Sequence, residues 1–367
     1  MNQSRYLSLD VFRGMDVMLM IIVNSPGGPL NWSPLEHAQW NGFTLTDLVF
    51  PTFLFVVGNA MSFSMPKYEA LGNRAVLTKI FKRTAIIFLL GYLMYWFPFF
   101  DVNAAGEFAM RPISHTRIFG VLQRIALCYG FSALVIHYWK TKGAIYFSVL
   151  ALIAYRFLME FGDWSVEGNA VVLFDTWLIG TNHLYMGEGV AFDPEGLLST
   201  IPAIVNVLAG YLAGRFIQRN GMNYETIAKL MMAGAVLLLT SLWWDLFFPI
   251  NKKLWTSSYV LHTVAIDLLV LPILIFIIDV VGKNKWTYPF EVFGRNTLFC
   301  YLLSEVLVIT LWAIPMGDQS LYKWIYTSIF NPVFGNYLGS FLFAFWIMAI
   351  CWLVGFIMDK KKIYVKV

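Results

Sequence analysis

Charge is what this sequence has least of. Only 13% of its 367 residues are Asp, Glu, Lys or Arg, about half the share that a soluble domain carries. A chain that is 59% hydrophobic, with a mean hydropathy of +0.65, cannot cover itself with a water-compatible surface, so a soluble globular fold is excluded. Cysteine is almost missing as well. Cys128, Cys300 and Cys351 are odd in number and scattered over separate apolar runs, which excludes a disulfide frame and a thiolate zinc site; no metal is expected. There is no internal repeat and no low-complexity stretch.

What fills the chain instead is long apolar runs. A helix needs roughly 20 mainly apolar residues to cross hydrocarbon. Ten segments qualify, at about 8–24, 45–65, 84–100, 118–138, 143–159, 199–217, 227–247, 258–280, 290–313 and 335–357. The expectation is an all-α, polytopic integral membrane protein of about ten transmembrane helices, with residues 1–367 forming one transmembrane domain. The first segment is interrupted by Asp10, Arg13 and Asp16. It has the basic residue and apolar run of a signal peptide but no small-residue cleavage site, and reads as an uncleaved helix. Lysine and arginine set the orientation. With the N-terminus in the cytoplasm, 19 of the 26 basic residues, Arg5 and Lys366 among them, fall in inner segments. Only Arg111, Arg117, Lys252, Lys253 and Lys323 fall in outer ones. Both termini are therefore expected to be cytoplasmic, and the net charge of +4 reflects topology, not a nucleic-acid partner.

Three features point to chemistry. The outer loop at about 160–198 is acidic, aromatic and free of lysine and arginine; a loop so long is usually functional or disordered, and this one is too aromatic for disorder. It is expected to cover the outer mouth, where acidic and aromatic side chains suit a sugar ring and attract an amine; a passive cap is the alternative. Second, "EHAQWNGFTLTD" puts His37 at the outer mouth of the second span. An imidazole can take or give a proton near neutral pH, and a carboxylate beside it fixes its tautomer; Asp47 is one candidate and Glu36 another. A histidine next to a tryptophan is also what an interfacial anchor looks like. Third, ionisable groups lie within spans, where each costs roughly 2.5–3.5 kcal/mol on insertion scales and is normally paired or functional. Asp10 and Arg13, one helical turn apart, form a candidate structural ion pair. Arg124 calls for an anionic partner, with a lipid headgroup as the alternative. Asp267 and Glu305 complete the set.

At these residues the chain resembles a known family. "LSLDVFRG" (7–14) is similar to the signature of the transmembrane acyltransferase superfamily. "VNSPGG" (23–28), "HAQWNGFTLTDLVFP" (37–51), "GVLQRIALCY" (120–129), "FDPEGLLSTI" (192–201) and "FPINKKLWTSSYV" (248–260) narrow it. In that order they resemble the heparan-α-glucosaminide N-acetyltransferase family and its bacterial members. The resemblance implies transfer of acetyl from cytosolic acetyl-CoA to the amine of an extracytoplasmic glucosamine or related amino sugar. It places the catalytic roles on His37, Asn24 and Asp47, with His37 as base or acetyl carrier. Arg124 would face the anionic acetyl-CoA, with Gln123, Asn59 and Asn296 as further cofactor-binding candidates. Trp40, Asn41, Asp193, Glu195, Lys252 and Trp255 are the acceptor-binding candidates. Ser304 stands where the lysosomal enzyme carries a histidine, so no second histidine role transfers. An amino-sugar transporter and an O-acetyltransferase of envelope polysaccharide remain alternatives. The expected partners are an amino sugar or glycan terminus and membrane lipid, with a homodimer left open, and the expected location is a bacterial inner membrane.

The orientation is open to a direct check. A reporter fused after Val367 should be active only as a cytoplasmic marker; export of that reporter would invert every loop placement above, including that of His37.

Overall fold

The computed structural model describes residues 6–102 and 108–365; Arg5 and Lys366, counted above toward orientation, lie outside the described residues. Among the described residues twelve α-helices follow one another: α1 Leu7–Asn24, α2 Leu45–Glu69, α3 Asn73–Trp96, α4 Val121–Leu158, α5 Ala170–Ile179, α6 Thr200–Asn220, α7 Tyr224–Asp245, α8 Ser257–Leu274, α9 Tyr288–Arg295, α10 Thr297–Ala313, α11 Leu321–Ile325 and α12 Asn331–Lys360. Among the described residues the only strands are two short antiparallel hairpins, Phe100–Val102 with Phe108–Met110 and Pro315–Met316 with Gln319–Ser320. The protein is all-α and polytopic.

The count of ten spans is not confirmed. Among the described residues six helices are long and apolar enough to cross a membrane, namely Leu45–Glu69, Val121–Phe161, Thr200–Asn220, Tyr224–Asp245, Ser257–Val280 and Leu321–Lys360; α9 and α10, bent by 86° at their junction, make a seventh if taken together. The reasons are physical. The expected spans at 118–138 and 143–159 lie in one long apolar stretch, α4, that breaks between them at Lys140 (φ 56°, ψ −156°). The helix over 84–100 begins instead at Asn73 and takes in Arg74, Lys79, Lys82 and Arg83. Helix α1 carries Asp10, Arg13 and Asp16 along its length.

Local sequence fixes the helix ends. Thr44 and Asp47 form a reciprocal capping box at the start of α2, which satisfies two of the orphan N–H groups there. Asn223 caps α7 by accepting from Thr226 N at 2.9 Å. Gly221 closes α6 with φ +78°, a conformation that costs glycine least.

The most extensive helix pairing is α2 with α6. Lipid tails are as apolar as leucine, so helices in a membrane associate through close packing of small residues. Here Gly58 and Ser62 on α2 face Gly210 and Gly214 on α6, both pairs spaced by four. A Cβ on Gly58 would stand 1.7 Å from the Val207 carbonyl oxygen, and one on Gly210 would stand 1.8 Å from that of Phe55. The two backbones are in contact. Helix α1 meets α9 in the same way, with Gly14 against Phe290 O and Gly294 against Asp10 O. A methyl group at Gly210 must therefore part the helices. Gly210→Ala is expected to destabilise by about 1–3 kcal/mol, the usual cost of overpacking, read as a lower melting temperature in detergent; an unchanged melt would show that the α2–α6 contact is not close in solution.

Candidate active site

Two loops meet at the outer end of α2. Residues 33–44 lead into the helix, and residues 250–256 lead into α8. Gly42 N donates to Ile250 O at 2.8 Å, and Asn251 Nδ2 donates to Asn41 Oδ1 at 3.1 Å. Asn251 also shapes its own loop, where its Oδ1 accepts from Leu254 N at 2.9 Å. Asn41 thus fastens one loop to the other and brings Lys252 to His37.

The result is a compact triad of His37, Asp47 and Lys252. His37 Nδ1 lies 2.8 Å from Asp47 Oδ1. Lys252 Nζ lies 3.0 Å from His37 Nδ1, 3.4 Å from His37 Nε2 and 3.7 Å from Asp47 Oδ1. An ionised carboxylate only accepts, so His37 Nδ1 carries its proton toward Asp47 and the basic lone pair is on Nε2. The His37 side chain is 48% exposed and Asp47 1%, so the imidazole is open to solvent while its orienting carboxylate is not. Burial holds the Lys252 ammonium below the usual lysine range, against the opposing pull of Asp47 and Glu195.

Asp47 is pinned from both sides. Its Oδ2 accepts from Ala38 N, Thr44 N and Thr44 Oγ1, each at 3.1 Å. Four residues on, Pro51 has no N–H to give to the Asp47 carbonyl, and Tyr259 OH fills the gap at 2.6 Å. The "TLTDLVFP" stretch therefore encodes both the cap and the freed carbonyl.

A cavity of about 530 Å³ opens from the other end of α2. Its walls include Phe53, Val56, Ile87 and Ile125, and its cations are Arg13, Lys67, Arg83 and Arg295. Arg295 is held by Glu291 at 2.6 Å and Asp359 at 2.8 Å, and Arg13 stands 3.8 Å from Asp10. Among the described residues neither Lys67 nor Arg83 forms an ion pair, though Arg83 lies over the Tyr129 ring at 4.6 Å. Such a chamber suits an anion with several phosphate-like charges and an apolar extension.

The remaining candidates are distributed differently from the expectation. Arg124 does not line that cavity. It is fully buried in the first turn of α4, donates to Gly196 O at 2.9 Å and to Ser199 Oγ, and stacks on Trp255 at 4.8 Å. Zero exposure also excludes a lipid headgroup as its partner. Trp255 is itself enclosed and donates to Asn206 Oδ1 at 3.1 Å, so it packs the core and faces no acceptor. Asn59 is buried between α2 and α6, where Tyr6 OH donates to it at 2.9 Å. Asn296 holds the C-terminal tail through Ile363 O and Val365 N, both at 3.0 Å. Gln123 lines a separate small cavity with Glu305. Asn24 ends α1 and meets Glu305.

The outer loop is not irregular: it carries α5 and packs against the two loops that hold the triad. Trp40 Nε1 donates to Trp164 O at 3.0 Å, and Lys253 pairs with Glu188 at 2.6 Å. Its two expected amine-attracting carboxylates are already engaged. Arg117, which the sequence marked only as an outer charge, grips Asp193 with two nitrogens at 2.8 and 2.6 Å and Glu195 at 2.6 Å, between the rings of Tyr95 and Tyr185. Burial alone would lower the Arg117 affinity for its proton, but the Asp193 carboxylate outweighs it and holds the guanidinium above its usual range.

Asp175 on α5 locks the loop to α6 by accepting from Leu197 N at 3.1 Å and Leu198 N at 3.2 Å. Burial pushes its carboxyl from 3.8 up to about 7. The folded state thus binds a proton more tightly than the unfolded chain, so this group's contribution falls as pH rises between those two values. The melting temperature of the wild type relative to Asp175→Asn should decline from about pH 4 to about pH 7 and level off above; a difference independent of pH would show that Asp175 is not buried in this way.

Comparison with known proteins fits this geometry. A family model described as heparan-alpha-glucosaminide N-acetyltransferase, catalytic, matches residues 5–247. The heparan-alpha-glucosaminide N-acetyltransferase of Mus musculus is 28% identical over 428 residues, which cover 100% of this chain and 61% of that protein. The Homo sapiens enzyme of the same name is 29% identical over 363 residues, covering 82% of this chain and 53% of its own. The chain spans little more than half the length of these curated relatives. The matched stretch holds the His37–Asp47 pair, Arg124 and the Arg117–Asp193 clasp and extends over well more than half of the sequence, and on that ground the chain belongs to the heparan-alpha-glucosaminide N-acetyltransferase catalytic family.

Proposed function

We propose that this protein moves an acetyl group from acetyl-CoA, entering at the cytoplasmic end, to the amine of an extracytoplasmic glucosamine or related amino sugar. One observation carries the reading: the His37–Asp47 pair stands at one end of α2, with Asp47 in its first turn, and the cation-lined cavity at the other. The lysine and arginine distribution supports placing the triad outside and the cavity inside. The cavity follows α2 from Phe53 to Lys67, about 21 Å at 1.5 Å per residue, and ends about 9 Å short of Asp47 by the same measure.

The residues divide the work accordingly. Lys67, Arg83, Arg13 and Arg295 suit the phosphates of a CoA thioester, which supplies the activated acetyl group, and the apolar wall suits its arm. His37 Nε2 takes the proton from the acceptor ammonium, which leaves a nucleophilic amine. That nitrogen forms the new C–N bond as the C–S bond of the thioester breaks; its second proton passes to the departing sulfur, and CoA leaves as the thiol toward the cytoplasmic side. Asp47 orients the imidazole and balances its positive charge. Asn24, at the outer end of α1, is the donor we assign to the carbonyl oxygen of the thioester, where negative charge develops. Arg124 acts by ordering the junction between the outer loop and α6. The same residues serve direct transfer and a route through acetyl-His37.

Purified protein should consume acetyl-CoA with glucosamine and not with N-acetylglucosamine. His37→Gln should lower kcat by about 10²–10⁴-fold, the usual worth of a positioned base, with CoA affinity kept. Arg83→Ala should do the reverse, weakening CoA binding with His37 chemistry intact. Near-normal turnover of His37→Gln would remove it from catalysis, and sugar uptake without thioester loss would favour a transporter.

A further inference from the structure

Glu305 lies in the middle of α10 and has had no role so far. An ionisable group at such a place is costly unless partnered or functional. Its carboxyl meets the side chain of Asn24 and the hydroxyl of Tyr301. Beside it is a cavity of about 40 Å³, lined by Gly91, Tyr95, Leu122, Gln123, Tyr301 and Glu305.

Gln123 is the second, separate observation. It is fully buried, yet neither its Oε1 nor its Nε2 has a hydrogen-bond partner. Leaving a buried amide unpaired costs about 1–3 kcal/mol per group. Gly91 on α3 gives it room: a Cβ there would stand 2.5 Å from Gln123 Oε1. The chain thus keeps space beside a polar side chain instead of filling it. A cavity needs only about 10–15 Å³ to hold a water, which then wants two to four polar partners. Gln123, Glu305 and the Tyr hydroxyls offer them.

We propose that Glu305 is the positioning residue of Asn24, and that a water held between Gln123 and Glu305 in this cavity completes the support. The chemistry is directional. A carboxylate only accepts hydrogen bonds, so it draws the NH₂ end of the Asn24 amide toward itself and fixes which way the carboxamide faces. Asn24 is exposed and ends its helix, so without a buried partner its side chain would be free to turn over. The NH₂ group has two hydrogens; one goes to Glu305 and the other remains for the carbonyl oxygen of the donor. The water lets Glu305 satisfy its other lone pairs without moving and ties it to the first turn of α4.

This inference rests on the role given to Asn24 above, and a double-mutant cycle separates the two. Glu305→Gln keeps the shape and removes the charged acceptor. It is expected to lower kcat by about 10- to 100-fold, the worth of one hydrogen bond to a charged group, with KM for acetyl-CoA and the melting temperature unchanged. The Asn24→Ala, Glu305→Gln pair should be no slower than Asn24→Ala alone, because Glu305 acts through Asn24. Additive losses, or a Glu305→Gln enzyme with native kcat, overturn the proposal. Should Glu305→Gln not fold, Gln123→Met leaves the charge in place; it should lower kcat by about 2- to 10-fold and abolish the water peak in a high-resolution map, whereas a dry native cavity refutes the water site. If Asn24→Ala alone has native kcat, the role of Asn24 falls and this inference with it, a result distinct from additivity, where Asn24 matters and Glu305 acts apart from it.

Discussion

The backbone contact between α2 and α6 is the constraint on which the rest depends. Without water to drive apolar surfaces together, two membrane helices hold a fixed register only where they come close enough for van der Waals contact along the backbone. Gly58 and Gly210 allow that, and larger residues at either position would not. Each end of α2 then has a fixed address. Asp47 is presented to the loop that carries Lys252, and Lys67 is presented to the cavity shared with Arg83 and Arg295. The N-terminal end of α6 is fixed in the same stroke, and there Gly196 and Ser199 receive Arg124.

The second ordering principle is that several buried ionic groups are held by specific neighbours, although Arg124 keeps Nε and Nη1 unpaired and Asp267 keeps one oxygen so. Removing one partner of a buried pair is far costlier than never burying it, so the deep ionic groups come with specific company: Asp267 with Thr52 at 2.6 Å, Arg124 with Gly196 O and the Trp255 face, Arg117 with two carboxylates. This changes the meaning of the acidic outer loop. Asp193 and Glu195 hold Arg117, Glu188 holds Lys253, and Asp175 holds the start of α6. These four carboxylates thus serve as internal attachments of the loop.

How much of this was legible in the sequence varies with the range of the interaction. The His37–Asp47 pair was legible because it is local: the residues are ten apart and joined by a helix start. The same stretch announces the cap, since Thr44 and Asp47 have capping-box spacing. The α2–α6 contact was also there to be read as Gly210 and Gly214. The cavity was not. Arg13, Lys67, Arg83 and Arg295 lie on four different helices, and each looks like an ordinary cytoplasmic anchor when taken alone. Arg124 is a mixed case: its cost in a membrane was legible, whereas the carbonyl, hydroxyl and indole face that it meets lie on distant segments and were not, and its Nε and Nη1 keep no hydrogen-bond partner. The count of ten spans is not confirmed, because hydropathy alone does not show that α1 carries three charges along its length or that α3 begins among four basic residues, whereas the division between 118–138 and 143–159 falls at the break at Lys140.

The length of the cavity bears on how a group crosses the membrane. A carrier must expose one site to each side in turn, which calls for two arrangements of the bundle around a fixed midpoint. Here the distance is divided differently. The chamber already covers about 21 Å of the α2 axis, and only about 9 Å separates Phe53 from the level of Asp47. Pro51 lies inside that interval, where it interrupts the helical hydrogen bonding and leaves the Asp47 carbonyl to Tyr259. If a thioester arm fills the chamber, only its terminal acetyl has to pass the remaining interval. The bundle can then keep the contacts of Gly58 and Gly210 throughout a turnover. The tight α2–α6 seam, an obstacle to a rocking carrier, is compatible with the proposed transfer, because it holds the His37–Asp47 pair and the cation-lined cavity at a fixed separation.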